Sequence, residues 1–448
     1  MNSLASFRTA ALFAAILFPT VFATACAAPA ANDWPQWRGA NRDGVWHESG
    51  VVSKFDSPSL TPKWRVDIGS GYCGPTIADG RVFVMDRVVE DGDNGLKQYE
   101  RVHCFNEQTG EKLWSHKYER AYRIDYDAGP RASVTIDDGR AYALGAMGDF
   151  FCFDAKTGKI IWKKDLNDAY KIRMPIWGIA AAPLIERDLV IVQIGGEGEA
   201  CLVAFNKMTG KEAWKSLDDT ASYSAPIIVE RGGHRVLVCY TANYVIGADP
   251  KTGRVHWKVS FPPKKVVIGI ATPVLHGDYL FLTNFFDGSL MLKLSKDGLA
   301  AEEVWRRAGK SEQETDALHC IMSTPWLSGD HIYGVDSYGE LRCLDLKNGN
   351  RIWESDKAVR RERWANIHFV WNDAQKKMWM FNEQGDLVIG ELTPKGYHEI
   401  SRTHILAPTR DQLPSRKGGV CWSHPAFANQ CVFVRNDKEL VCYDLRSR

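Results

Sequence analysis

Several features that would announce a function are missing from this chain. Neither charge is in excess: 56 Lys and Arg against 55 Asp and Glu leave +1 over 448 residues, and a leader holding Arg8 but no acid accounts for that one. Without a basic block there is no electrostatic footprint for nucleic acid or an anionic membrane surface, so no nucleic-acid partner is expected. There is no Gly-x-Ser-x-Gly, no His-Glu-x-x-His, no phosphate loop and no Cys-x-x-Cys, which removes the signatures of a nucleophile elbow, a zinc protease, a nucleotide hydrolase and a dithiol redox pair. Helical periodicity longer than a turn or two is also missing. Gly195-Gly-Glu-Gly198 is therefore a loop tip between strands rather than a phosphate cradle, because no helix follows it.

What is present begins with an export signal over residues 1–30. Arg8 precedes an apolar run from Ala10 to Val21, and small residues follow it. Pro19 and the shortness of the run argue against a spanning helix. Cleavage after Ala25, Ala27 or Ala30 is one reading. The other is a lipid-anchored chain starting at Cys26, since Ala23-Thr-Ala-Cys26 resembles a lipobox. Eleven cysteines in an exported chain ordinarily suggest disulfides. Four of them, Cys104, Cys152, Cys343 and Cys442, share one repeat position where other copies carry Ala204 and Gly247. A slot filled by Cys, Ala or Gly is a small buried position. One disulfide among Cys73, Cys239, Cys320, Cys421 and Cys431 stays open.

The repeat is the main content of the sequence. Trp64, Trp114, Trp162, Trp214, Trp257, Trp305 and Trp353 recur at intervals of 50, 48, 52, 43, 48 and 48 residues, and Ile400 takes the next place. Gly110, Gly158, Gly210, Gly253 and Gly349 each precede their Trp by four residues, as the turn glycine of a β-hairpin would. Each interval holds a second hairpin as well, for example Ala181-Ala-Pro183 before Leu189 to Ile194. Four strands in under about fifty residues is the pattern of a propeller blade. The last interval stops one strand short, whereas Leu60 to Ile68 with Trp64 has no first three strands. The expected fold is all-β: a single eight-bladed propeller of four-stranded antiparallel blades over 59–448, closed by its N-terminal strand so that no edge is left open. Residues 31–58, rich in Trp, Arg and Gly, are expected to wrap over it.

The segment Gly148 to Trp162, with Cys152, Phe153, Asp154, Thr157, Gly158 and Trp162, resembles the repeat of the pyrroloquinoline-quinone-type propellers, and versions of it span nearly everything after Ser59. Two branches of that family imply different activities. Quinoprotein dehydrogenases hold the quinone with calcium, whereas the propeller lipoprotein of the outer-membrane β-barrel assembly machine is a scaffold without either. Trp34-Pro-Gln-Trp-Arg-Gly39 with Trp422-Ser-His-Pro-Ala426 is also similar to a set of exported propellers of environmental bacteria. The adjacent Cys pair that lies under the quinone in the dehydrogenases has no counterpart here, and no calcium set is placeable residue by residue. Trp177-Gly178 is the nearest reminder of a quinone-contacting segment.

A shared fold does not fix an activity. The expected reading is an exported, periplasmic or outer-membrane-anchored monomer that binds or scaffolds, without cofactor or resident metal and without catalytic residues. Its partner would be a protein, a small molecule or a glycan. A quinone- and calcium-dependent oxidoreductase is the alternative. Loops before the first strands of successive blades emerge on one face, so Arg131, Trp177, His368, Glu383, Trp422 and His424 are expected around one axial mouth, Arg serving anions and the aromatics flat surfaces. His319, His368 and His424 also admit a shared metal, with satisfied structural histidines as the competing reading.

Overall fold

In the computed structural model the described residues are Met1, 32–93 and 95–447; the leader and Cys26 lie outside them. Eight sheets follow one another along the chain. Blade 1 is Thr76–Ala78, Arg81–Gly92, Gly95–Asn106 and Lys112–Glu119, and blade 2 is Thr135–Asp137, Arg140–Leu144, Asp149–Asp154 and Ile160–Asp165. First strands of blades 3 to 6 begin at Leu184, Ile227, Val274 and Trp326, that of blade 7 is Ile367–Asn372, and that of blade 8 is Ala426–Ala428. First strands are short and mostly buried, as Thr76–Ala78 is, while fourth strands alternate between exposed and covered, as in the pattern of Lys112–Glu119, so the first strands face the axis. The one helix among the described residues is the five-residue Leu166–Tyr170.

Closure is made by Trp64–Asp67, which pairs antiparallel with Glu439–Asp444 in the register Trp64 to Cys442. The repeated Trp explains how neighbouring blades hold on to one another. Each indole Nε1 donates to a backbone carbonyl in the turn of the following blade: Trp64 to Glu107, Trp114 to Ala155, Trp162 to Lys207, Trp214 to Pro250, Trp257 to Gly298, Trp305 to Leu346 and Trp353 to Thr393, all between 2.7 and 3.1 Å. The turn glycine serves the same contact. Gly158, at φ +72°, lies so close to Trp114 that a Cβ would stand 2.6 Å from the indole, so the position demands both left-handed backbone and an absent side chain. Across the sheet, Cys104, Cys152, Ala204, Gly247, Cys343 and Cys442 each sit opposite the Trp of their own blade, and the four cysteines are fully buried free thiols.

The segment expected to wrap the body runs along blades 7 and 8 over 48–58, but its first part enters the channel. Within 15 residues it reaches the inner strands of blades on all sides: Trp34 bridges Ile77 of blade 1, Ile136 N of blade 2 donates to Pro35 O, and Trp37 Nε1 donates to Thr272 Oγ1 ahead of blade 5 at 2.8 Å. Val45–Trp46 then adds in parallel to Ile367–Asn372 of blade 7. Only a chain on the axis meets so many first strands. Arg42 shows what holds it there: buried, it donates to the carbonyls of Ala182, Pro183 and Pro226 and, at 2.8 Å, to Gln36 Oε1. Carbonyl dipoles stand in for a counter-ion, and burial lowers its pKa to about 9.

Candidate functional site

The channel side of each blade is built from the residues that lead into its first strand. Six of these lead-ins end in Pro: Pro75, Pro183, Pro226, Pro273, Pro325 and Pro425. A proline forces the residue before it into extended backbone, and extended backbone alternates its side chains. Residues two and four positions ahead of the strand therefore face the axis together. The deeper ring, at two, carries Gly74, Ser133, Ala182, Ala225, Thr272, Thr324 and His424; the shallower ring, at four, carries Tyr72, Arg131, Ala180, Tyr223, Ile270, Met322 and Trp422. All seven of the shallower ring line one cavity of about 140 Å³, joined by Tyr126, Trp177, Trp364, His368 and His424. Trp37 forms its floor from the N-terminal segment, its ring edge-on to His424 at 4.3 Å.

Of the six residues expected at the mouth, Arg131, Trp177, His368, Trp422 and His424 line this cavity and Glu383 does not. Glu383 lies one layer behind, buried, accepting from Trp422 Nε1 at 3.0 Å and from Arg416 Nη1; it orients the indole rather than facing a ligand. Burial raises its pKa, against the charge of Arg416. Of the two readings of the three histidines, protein partners favour the structural one over a shared metal. His319 belongs to another layer, accepting from Gly309 N and bonded to Phe285 O, each at 3.0 Å, so both its ring nitrogens are occupied. His368 and His424 do meet, with ring centroids 6.2 Å apart. His424 Nδ1 faces Pro425 O, so it carries the proton, and Nε2 accepts from Ser133 Oγ at 2.7 Å. Burial depresses His368 to about 4, and burial with the proximity of His368 depresses His424 to about 3. Gly74 permits the approach: a Cβ there would fall 2.2 Å from His424 O.

Aromatic side chains dominate the wall. Tyr126 meets Trp177 and Trp364 edge-on at 5.9 Å each, Trp177 lies 5.1 Å from Tyr223, and Trp364 lies 6.4 Å from Trp422. Tyr126 and Trp364 are both held at positive φ, +53° and +67°, a strain that bulky residues adopt rarely and that gathers at binding sites. Arg131 is the one cation of the wall, lying over Tyr72 at 4.7 Å and donating to the carbonyls of Asp125, Tyr126 and Gly129. The other conspicuous loop arginines are ion-paired outside the lining: Arg173 to Asp218, Arg361 to Glu340, and Arg363 to Glu312, its guanidinium lying over Trp364 at 4.4 Å. The expectation missed Tyr72, Tyr223, Met322 and Trp37. For the first three a signal existed, namely a fixed offset of four residues ahead of each inner strand.

The donor set does not fit the quinone and calcium of the dehydrogenase branch. No carboxylate lines the cavity, and among the described residues no three His, Cys, Asp or Glu side chains are grouped to hold a metal. The volume is on the scale of one six-membered ring, since a cavity of about 150 Å³ takes a benzene. A tricyclic tricarboxylate brings three negative charges to a wall with a single arginine.

Comparison with known proteins places this geometry in a lineage. Residues 98–355 match the profile of the family described as outer membrane protein assembly factor BamB. The factor of that name from Burkholderia pseudomallei strain K96243 is 23% identical over 250 residues, 54% of this chain and 58% of that protein. The quinohemoprotein alcohol dehydrogenase ADH-IIG of Pseudomonas putida is 26% identical over 181 residues, 35% of this chain and 24% of that one. The chain thus spans little more than half the length of the assembly factor from Burkholderia pseudomallei. The crystal structure of BamB from Moraxella catarrhalis superposes with a TM-score of 0.52 at 14% identity, over 86% of this chain and 99% of that one, a likeness of fold. The match over more than half of its length makes this chain a member of the family of the outer membrane protein assembly factor BamB.

Proposed function

We propose that this is an exported propeller that holds a small molecule in its channel, with the ring of blades as the scaffold around it. The observation that carries the reading is that lead-ins from all eight blades and the N-terminal segment converge on one aromatic-lined cavity. The deeper ring is buried while most of the shallower ring is half-buried, so access is from the shallower side and Trp37 closes the other. Concave, mostly apolar pockets with a few polar groups are the common form of small-molecule sites. Saturation-transfer NMR with a mixture of single-ring fragments tests it: fragments should bind the wild type and be lost in Ala225→Trp, which fills the cavity. No binding, or binding unchanged by that variant, would reject the reading.

A second reading, docking to an outer-membrane assembly partner at a periplasmic or lipid-anchored location, draws on family membership and on blade 1. Its Arg81–Gly92 and Gly95–Asn106 hairpin runs past the end of the fourth strand at Glu119 and exposes Val89 and Leu96. Shortening that hairpin should abolish partner cross-linking in envelope fractions without disturbing the fold. Quinone chemistry is the weaker alternative, because the cavity lacks the carboxylates it would require.

A further inference from the structure

Resting on the reading that the channel cavity holds a small molecule, we propose its chemical class: a planar monoanion of single-ring size, an aromatic carboxylate, with its ring among Tyr126, Trp177, Trp364 and Trp422 and its carboxylate toward Arg131.

Charge decides against a cation. An aromatic box otherwise suits quaternary ammonium groups, yet here no lining residue is acidic and Arg131 is cationic. Nearby carboxylates are taken, Glu383 by Arg416, Glu312 by Arg363 and Asp127 by Arg87, and Asp125 is exposed outside the wall. Both histidines of the wall are held neutral by burial. Among the described residues Arg131 has no ion-pair partner; three donated bonds go to carbonyls, which leaves two of the five guanidinium donors and the whole charge for a ligand.

Polarity decides against a sugar. A glycan presents hydroxyls over its whole rim, whereas beyond Arg131, Ser133 and the two histidines this wall offers only the hydroxyls of Tyr72, Tyr126 and Tyr223, of which that of Tyr72 already donates to Gln412 O and that of Tyr223 accepts from Trp177 N. Size sets the single ring, as the cavity volume does for benzene. Backbone strain at Tyr126 and Trp364, which flank the ring position from blades 2 and 7, is what a preformed clamp would store.

The test is a titration of the full-length protein, followed by tryptophan fluorescence and calorimetry, with benzoate, benzyl alcohol and benzylamine, which share a ring and differ in charge. Benzoate should bind at least tenfold more tightly than benzyl alcohol, benzylamine should not bind, and added salt should weaken benzoate alone. Arg131→Gln should bring benzoate down to the level of benzyl alcohol, and Arg131→Lys should restore most of the difference. Equal binding of benzyl alcohol or benzylamine, lost in Ala225→Trp, would overturn the assignment of class while leaving the cavity as a ligand site; this outcome is read on the wild type even if the Arg131 variants misfold. No binding of any of the three overturns both.

Discussion

At the scale of single residues, two kinds of side chain carry the structure: those that recur and those that occur once. The recurring unit is a Trp laid on the turn glycine of the next blade, and it separates two costs that a glycine substitution confounds. Gly139 and Gly158 have nearly the same left-handed φ, +68° and +72°, but a Cβ at Gly139 meets nothing whereas at Gly158 it meets Trp114. Gly139→Ala should therefore cost only backbone strain, about 1 kcal/mol, and Gly158→Ala at least twice that, read as melting temperature in the same buffer. Equal losses would show that the indole contact is irrelevant. Of the residues that occur once, His424 gives a pH signature. Its folded pKa, about 3, lies below the unfolded 6.5, so between those values the unfolded chain binds a proton that the folded chain refuses. Stability from this group is thus full above pH 6.5 and falls as the pH drops toward 4. The stability of wild type minus that of His424→Gln should decline by about 2–3 kcal/mol over that window; a flat difference would mean that the imidazole stays protonated in the fold.

At the scale of elements, the strands were legible and the path of the N-terminal segment was not. Strands, turns and the missing eighth partner follow from local patterns: alternation, a glycine four residues before a Trp, a lead-in ending in Pro. The closing strand was readable because an incomplete last repeat and an orphan first strand point to each other. Trp64→Ala removes a buried indole at that closure and its bond to Glu107 O, and should cost about 3–5 kcal/mol, with the deletion of Leu60 to Ile68 leaving an unfolded or aggregating chain. A deletion variant that stays monomeric with an unchanged melting curve would refute circular closure. Residues 32–58, by contrast, have no periodicity, and their partners are remote: Arg42 bonds Pro183 O, 141 positions away, and Asn372 Nδ2 bonds Glu48 O at a separation of 324. Nothing local encodes such contacts. For the same reason the three histidines could not be sorted from sequence, since His319 and His424 share a place near a first strand and differ only in what surrounds them.

At the scale of the whole molecule, the ring turns a linear repeat into a site. Each lead-in contributes one to three side chains that would be unremarked alone, and closure by Trp64–Asp67 brings the eight contributions around one axis, while Trp37 and Arg42 close the channel from within. The face on which the lining gathers was readable, because identical blades must present identical loops; the depth of each side chain was not, which is why Glu383 stands behind Trp422 instead of beside it. The central claim is that this axial cavity is a small-molecule site, and a crystal soaked in 4-bromobenzoate, with the bromine located by its anomalous scattering, tests it most directly. An anomalous peak inside the ring of Tyr126, Trp177, Trp364 and Trp422, absent in Ala225→Trp, is the predicted result; an empty channel, or bromine bound only at the outer surface of the blades, would contradict it.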